Sequence, residues 1–176
     1  MARQSTKAKE PALTEASAEK TQDAIQLLMA DHREVEALFK EFQNSKNDDD
    51  EKAHIVEKIC EALGAHAEIE EEIFYPAARD ALGEKGENML DEAEVEHASI
   101  KSLVEQLQDA EPDAHLYDAK VKVLCEYVAH HVKEEEDEMF PKVKKTKLDL
   151  DKLGGELLAR KTELLGSADD DEEDAG

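Results

Sequence analysis

Residues able to bind metal ions recur in this chain at a constant separation of 65 positions. The equivalent pairs are His32 and His97, His66 and His131, Glu70 and Glu135, and Pro76 and Pro141. Imidazole nitrogens and carboxylate oxygens are common protein ligands of iron, zinc and manganese. A duplication that repeats four histidines and two glutamates therefore predicts a metal site to which both halves of the chain contribute.

Within each half, a histidine and a glutamate are four residues apart, at His66 and Glu70 and again at His131 and Glu135. Residues four apart on an α-helix lie on the same face, about 6 Å from each other. Both pairs also occupy consecutive positions of the apolar seam when the helices are read as heptads. Each pair is therefore predicted to point into the core.

The other two histidines, His32 and His97, each stand alone at a seam position where a leucine is expected. Two buried carboxylates among four imidazoles are costly unless bound cations supply the opposite charge. Six protein ligands exceed the needs of one tetrahedral zinc, whereas they suit two metal ions that are bridged by carboxylates.

A non-metal interpretation exists for each part of this pattern. A single buried histidine is usually a hydrogen-bonded core residue, and acidic runs such as 70–72 and 134–137 are typical of solvated helix faces. All six candidate residues, however, share one repeat offset and occupy core-facing positions of their helices. This coincidence favours the metal site over the non-metal interpretation.

The residues around the six candidates have their own predicted places. His54 and His115 are predicted on the surface, and His130 either beside the site or on the surface. Glu71 and Glu136, which follow the candidate glutamates, are predicted to orient an imidazole by hydrogen bonding to it.

Composition limits the partners. The chain has 176 residues, with 46 Asp and Glu against 22 Lys and Arg, and a formal charge of −24. Nucleic acid and anionic membranes are disfavoured by this charge, whereas metal ions and small gases are not. No segment approaches the roughly 20 apolar residues of a membrane span, and no apolar signal opens the chain. A cytoplasmic protein with reduced cysteines at Cys60 and Cys125 is predicted.

Periodicity and turn residues predict an all-α fold, an up-down-up-down four-helix bundle built from two repeated helical hairpins, plus a short C-terminal helix. The five helices are predicted at about 23–42, 51–82, 89–108, 113–145 and 150–165, the last ending at Gly166. The predicted organisation is a flexible N-terminal arm (1–20), a metal-binding domain (21–166) and an acidic disordered tail (167–176). Pro76 is predicted to bend the second helix.

These motifs resemble the hemerythrin-like, or HHE cation-binding, domain family over about residues 23–145. The resemblance implies a four-helix bundle around two iron ions, a non-haem di-iron centre with carboxylate and oxo bridges. It also implies a ligand set, in which both glutamates bridge the irons: His32, His66, Glu70, His97, His131 and Glu135.

The chain departs from the oxygen-carrying members in two places. Where they have a second histidine on the third helix, this chain has Lys101. Their last carboxylate lies five residues after its histidine, which is the place of Glu136, whereas Glu135 lies four after it. Four histidines instead of five imply an open position on iron and argue against reversible oxygen carriage.

Three functions follow. The first is a di-iron protein that binds or senses a small oxidant or diatomic ligand (oxygen, nitric oxide or peroxide) at an open iron position. The second is a di-iron enzyme for peroxide disproportionation or nitric oxide reduction, with Tyr75, Tyr127 and Glu71 as candidate acids. The third is an iron-storage or iron-responsive interaction protein. Whether it is an enzyme, its protein partner, and a monomeric or homodimeric state are left open by the sequence.

Overall fold

Five helices form the part of the chain that the computed structural model describes, residues 22–45 and 48–172, and no strand occurs there. The first helix, α1, is Ala24–Asn44, and the third, α3, is Glu87–Gln108. The all-helical prediction is confirmed. The N-terminal arm predicted for residues 1–20 lies outside the described residues. None of the helices in the described part has the length and apolarity that crossing a membrane requires.

Helix α1 begins where its sequence provides a cap. The Asp23 carboxylate accepts a hydrogen bond from the backbone N–H of Gln26 at 2.9 Å, and the Gln26 side chain accepts one from the backbone N–H of Asp23. This reciprocal pair satisfies amide groups that the first helical turn leaves without partners.

The second and fourth helices each contain one π-turn. Helix α2 (residues 49–82) runs through Asp49–Ile69, a π-turn at Glu70–Phe74, and Tyr75–Leu82. Helix α4 (residues 117–143) repeats this order with Tyr117–Glu134, a π-turn at Glu135–Met139, and Phe140–Val143. Both π-turns begin at a candidate ligand and end shortly before a proline, so the distortion predicted at Pro76 lies upstream of it.

The four long helices pack as two hairpins, α1 with α2 and α3 with α4, and α2 also packs against α3. Their apolar side chains form two clusters. Ile25, Leu28 and Phe74 belong to one cluster, while Val35 and Ile59 belong to the other. The predicted metal ligands lie in the layer between these clusters.

The fifth helix, α5, is Leu150–Glu172 and packs along α1 and α2. The predicted end at Gly166 is therefore six residues too early. Glycine can end a helix with a positive φ, which costs it no steric strain, and Gly83 does so after α2 with φ of 58°. Gly166 keeps a negative φ and continues the helix. Residues 173–176 of the predicted tail lie outside the described part.

Candidate metal centre

All six predicted ligands are buried and close together, with none more than 6% exposed. Because α1 and α3 each contribute one histidine, and α2 and α4 each contribute a histidine and a glutamate, all four bundle helices meet here. The structure thus brings together the whole set that the repeat selected.

The first group of donor atoms belongs to His32, His66, Glu70 and Glu135, and these atoms lie within 4.8 Å of one another. Nε2 of His66 is 3.2 Å from Oε2 of Glu70. Nε2 of His32 is likewise 3.2 Å from Oε2 of Glu135. Two ligands at about 2.1 Å from one ion, roughly 100° apart, are separated by about 3.2 Å, so these distances suit a shared metal.

The second group consists of Glu70, His97 and His131. The Nε2 atoms of His97 and His131 are 3.0 Å apart, and Oε2 of Glu70 is 3.3 Å from Nε2 of His97. Glu70 therefore belongs to both groups. Oε2 of Glu135 also approaches the second group, at 3.6 Å from Nε2 of His131. Both carboxylates lie between the groups, where bridging ligands would stand.

Four buried side-chain atoms in this layer have no hydrogen-bond partner: Nε2 of His32, Nε2 of His66, Oε1 of Glu70 and Oε2 of Glu135. They come from the four residues of the first group. Buried polar atoms are almost always satisfied in native proteins, and each one left unsatisfied costs about 1–3 kcal/mol. Donors of the type that metals prefer, left without protein partners and turned toward one another, fit a bound cation.

The opposite nitrogen of every imidazole is held by a carboxylate. The Nδ1 pairs are His32 with Glu136 at 2.9 Å, His97 with Glu71 at 3.0 Å, His66 with Asp31 at 3.4 Å, and His131 with Glu96 at 2.8 Å. Such contacts fix the tautomer and the ring orientation of a metal-binding histidine. The sequence predicted Glu71 and Glu136 in this role and missed Asp31 and Glu96, although each directly precedes a candidate histidine.

Three of the four anchoring carboxylates are themselves paired with a lysine or an arginine. Arg33 binds Glu136, and Lys161 binds Asp31. Lys101 lies 2.7 Å from Glu71. The residue that replaces the additional histidine of the oxygen carriers thus supports the anchor of His97. Glu136 is an anchor too, which leaves Glu135 as the carboxylate that faces the other donors.

Tyr75 brings a hydroxyl group into the same layer. The hydroxyl donates a hydrogen bond to Oε1 of Glu135 at 2.9 Å, and its oxygen lies 3.1 Å from Nε2 of His97. Burial raises the pKa of this phenol well above its usual value, and the nearby charges of Glu70 and Glu135 raise it further. The equivalent residue in the second half is Phe140, whose ring stacks on His32 at 5.9 Å between ring centroids. The two halves of the site therefore differ in polarity.

Tyr75 points inward because of the π-turn. The backbone N–H of Tyr75 bonds to the carbonyl of Glu70, five residues earlier, so both side chains face the core. An undistorted heptad would have placed Ile73 there. Of the other candidate acids, Tyr127 is 47% exposed and stands outside the site.

The remaining histidines lie at the surface. His54 and His115 are exposed, as predicted. His130 is also exposed, and its Nε2 lies 3.3 Å from Oε1 of Glu96, so it touches the anchor of His131.

A cavity of about 20 Å³ adjoins the four imidazoles. Its other walls are mainly apolar and include Val35, Leu63, Ile100 and Val128. A space of this volume holds about one water molecule or one diatomic molecule.

The metal-free protein should become less stable as pH rises. Burial opposes charge on His131, but its hydrogen bond to Glu96 and the charges of Glu135 and Glu70 raise its pKa to about 9. Because this pKa is raised in the folded state, the charged His131 stabilises the fold fully below about pH 6.5. This contribution to the free energy of unfolding is lost as the pH rises through about 9. Urea unfolding with a chelator present should show the free energy falling by up to about 1.4 kcal/mol per pH unit for this one proton.

The control for this pH dependence is His131→Gln, which should remove most of the slope. Metal binding should have the opposite pH dependence, because imidazoles must lose their protons before they bind metal. A metal-free stability that stays constant between pH 6.5 and 9 would contradict the charge assigned to His131.

The sequence matches the family described as hemerythrin HHE cation binding domain over residues 23–143. The chain belongs to this family. The match ends before α5 and includes all six candidate ligands. The structure of this HHE domain is also similar to the crystal structure of a hemerythrin HHE cation binding domain-containing protein from Mycobacterium kansasii. The TM-score is 0.71 at 23% identity, with 84% of this chain and 90% of that chain covered, which supports the fold.

A curated relative of this HHE domain protein comes from Nostoc and is named DNA nickase. The two sequences are 32% identical over 133 residues, which cover 76% of this chain. The chain spans only 37% of the length of that relative.

Proposed function

We propose that this HHE domain protein holds two iron ions and binds or senses a small oxidant or diatomic ligand, such as oxygen, nitric oxide or peroxide, at an open iron position. The observation that carries the proposal is the position of Glu70, whose carboxylate belongs to two donor groups at once. Imidazole and carboxylate donors suit iron. In this assignment His32, His66, Glu70 and Glu135 would hold one ion, and Glu70, His97 and His131 would hold the other.

The residues around the site perform separate tasks in this function. The carboxylates on Nδ1 orient the imidazoles, and the apolar walls of the cavity exclude water from the place beside them. Bound iron would supply a position at which a small molecule can coordinate. Because the second group has two imidazoles and no protein donor beyond the carboxylates that lie between the groups, an open position is expected there.

Metal content is the first test of this proposal. Protein purified without air should contain about two irons per chain and show visible absorption that changes when air, nitric oxide or azide is added. Zinc bound at full occupancy in place of iron, or a chain without metal, would overturn the assignment. The His54→Gln variant, altered at an exposed histidine, should behave like the wild type.

The cavity provides a second prediction. Val128→Phe should fill the space beside the imidazoles and weaken azide or nitric oxide binding about tenfold or more, because the larger ring would occupy the place of the ligand and a tenfold loss needs only about 1.4 kcal/mol of binding free energy. Iron content should be unchanged. Val121→Phe is the matched control, since Val121 is buried on the same helix but does not line the cavity. If both variants bind azide and nitric oxide equally tightly, the cavity is not the place where these ligands bind.

Tyr75 favours a second candidate, an enzyme for peroxide disproportionation or nitric oxide reduction at the same centre. Its buried hydroxyl already donates to Glu135 and could support proton movement during turnover. Oxygen release from peroxide, and consumption of nitric oxide, should then be measurable in the wild type and reduced in Tyr75→Phe with iron content preserved. Binding without turnover would exclude this candidate.

The name of the Nostoc relative raises DNA as a substrate. We do not expect nicking by this chain, because its charge of −24 repels a phosphate backbone. Incubation of supercoiled plasmid with the iron-loaded protein, beside an iron-only control, tests this expectation. Nicking above the control level would contradict this expectation and show that this chain shares the activity for which its relative is named.

A further inference from the structure

Helix α5 lies outside the residues that match the family, yet it is seated tightly on the bundle. A Cβ atom added at Gly154 would stand 2.8 Å from the backbone of Asp23 and Ala24, so only glycine permits this approach to α1. Leu157 of the same helix is fully buried. Lys161 lies on the face that carries Gly154 and Leu157, because residues three, four and seven apart share one side of a helix.

Lys161 reaches the metal centre from that face. Its Nζ is 2.7 Å from Oδ1 of Asp31, and the Lys161 side chain is only 18% exposed. The second oxygen of Asp31 faces Nδ1 of His66 at 3.4 Å. One buried carboxylate is thus shared between α5 and an imidazole. Without Lys161, Asp31 would be a buried charge with no permanent cation beside it, which is costly.

In the part of the chain that the structure describes, no such helix packs over the equivalent place of the second half. There Glu96 corresponds to Asp31 and reaches His131 at 2.8 Å. Among the described residues no lysine or arginine lies within 4.0 Å of Glu96, whose other oxygen faces His130. The position equivalent to His130 is Ala65, which is buried and has no polar side chain. In the first half, therefore, the basic partner of the anchoring carboxylate comes from α5 and not from the repeated helices.

We propose that α5 is part of the metal centre, with Lys161 as a positioning residue that fixes Asp31 and thereby the ring of His66. The inference rests on the proposed function, because it concerns how firmly the bound metal is retained. It makes the two metal positions unequal. The ion held by His66 depends on a helix outside the four-helix bundle, whereas the ion held by His97 and His131 does not.

The test uses the iron-loaded full chain and an excess of a chelator. In Lys161→Met, one of the two irons should be released about tenfold or more faster than in the wild type, since loss of such outer contacts costs about 10–100-fold in metal affinity. Lys161→Arg keeps the charge and should restore slow release. Lys152→Met is the matched control, because Lys152 is an exposed lysine of the same helix that pairs with Glu156.

A double-mutant cycle separates positioning from general stability. Asp31→Asn alone should accelerate release to a similar extent, and adding Lys161→Met should have no further effect if Lys161 acts through Asp31. If the Lys161→Met variant does not fold, the Asp31→Asn variant serves as the test. Iron release from Asp31→Asn at the same rate as from the wild type would then overturn the inference.

Two failures are distinguishable. Wild-type release rates in both Lys161→Met and Asp31→Asn, with two irons present, would overturn the role of α5 and leave the proposed function standing. A wild-type protein that binds no metal would overturn both the role of α5 and the proposed function.

Discussion

Removing the metal is expected to lower the melting temperature of this protein by about 10–20 °C. Each ion present at about 100 times its dissociation constant stabilises the native state by about 2.7 kcal/mol, so two ions contribute roughly 5 kcal/mol. For a chain of this size, one kcal/mol corresponds to about 2–4 °C. The physical reason is visible in the core, where four donor atoms lack hydrogen-bond partners and two carboxylates are almost fully buried.

The measurement is thermal unfolding of one preparation in three states: as purified, after removal of metal with a chelator, and after reloading. Zinc serves as a redox-inert probe beside iron(II). A double variant, His66→Ala with His131→Ala, should melt at one temperature whether metal is added or not. Equal melting of the metal-free and reloaded wild type would contradict metal binding at the buried layer.

The six candidate ligands, which recur in both halves of the chain, could be predicted from the sequence. A constant offset, four-residue spacing and heptad phase together select residues that share one face and one depth, and the structure places His66 and Glu70 accordingly. These are local rules of a regular helix, and they hold up to the first residue of each π-turn.

Beyond that residue the heptad reading is wrong. Continuing the seam predicts Ile73 and Glu138 inside, with Met139 beside Glu138. Met139 is buried, but Glu138 is exposed, Ile73 is only partly buried, and Phe74 and Tyr75 are the fully buried residues of the first π-turn region. A π-turn adds one residue to the turn and rotates everything after it. The sequence carries only a weak signal for this, a proline at the same position in both halves. The sequence therefore predicts the hydroxyl of Tyr75 only as a candidate acid.

The contact between α5 and the site was also beyond sequence reasoning. Lys161 and Asp31 are 130 positions apart, and Lys161 lies on a helix that the repeat does not include. Periodicity identifies which face of a helix is apolar, but it does not specify which distant helix that face meets. The acidic residues before His32 and His97 were the available signal for the anchors, since an acidic residue stands at both equivalent positions.

Replacing Glu70 by glutamine is expected to reduce the metal content from two ions per chain to one or none. Glu70 is completely buried, and its Oε2 lies 3.2 Å from Nε2 of His66 and 3.3 Å from Nε2 of His97. A carboxylate can bridge two ions through its two oxygens, whereas an amide offers one neutral oxygen and a nitrogen that does not bind metal. The substitution changes shape very little, so the effect is on charge and coordination.

Metal analysis after gel filtration, with the visible spectrum, measures this directly. Glu68→Gln is the matched control, because Glu68 lies two residues earlier on the same helix and belongs to neither donor group. Glu135→Gln should resemble Glu70→Gln, since Glu135 approaches histidines of both groups. Two firmly bound irons in Glu70→Gln would show that the two donor groups do not share this carboxylate, and a different bridge would have to replace the present assignment.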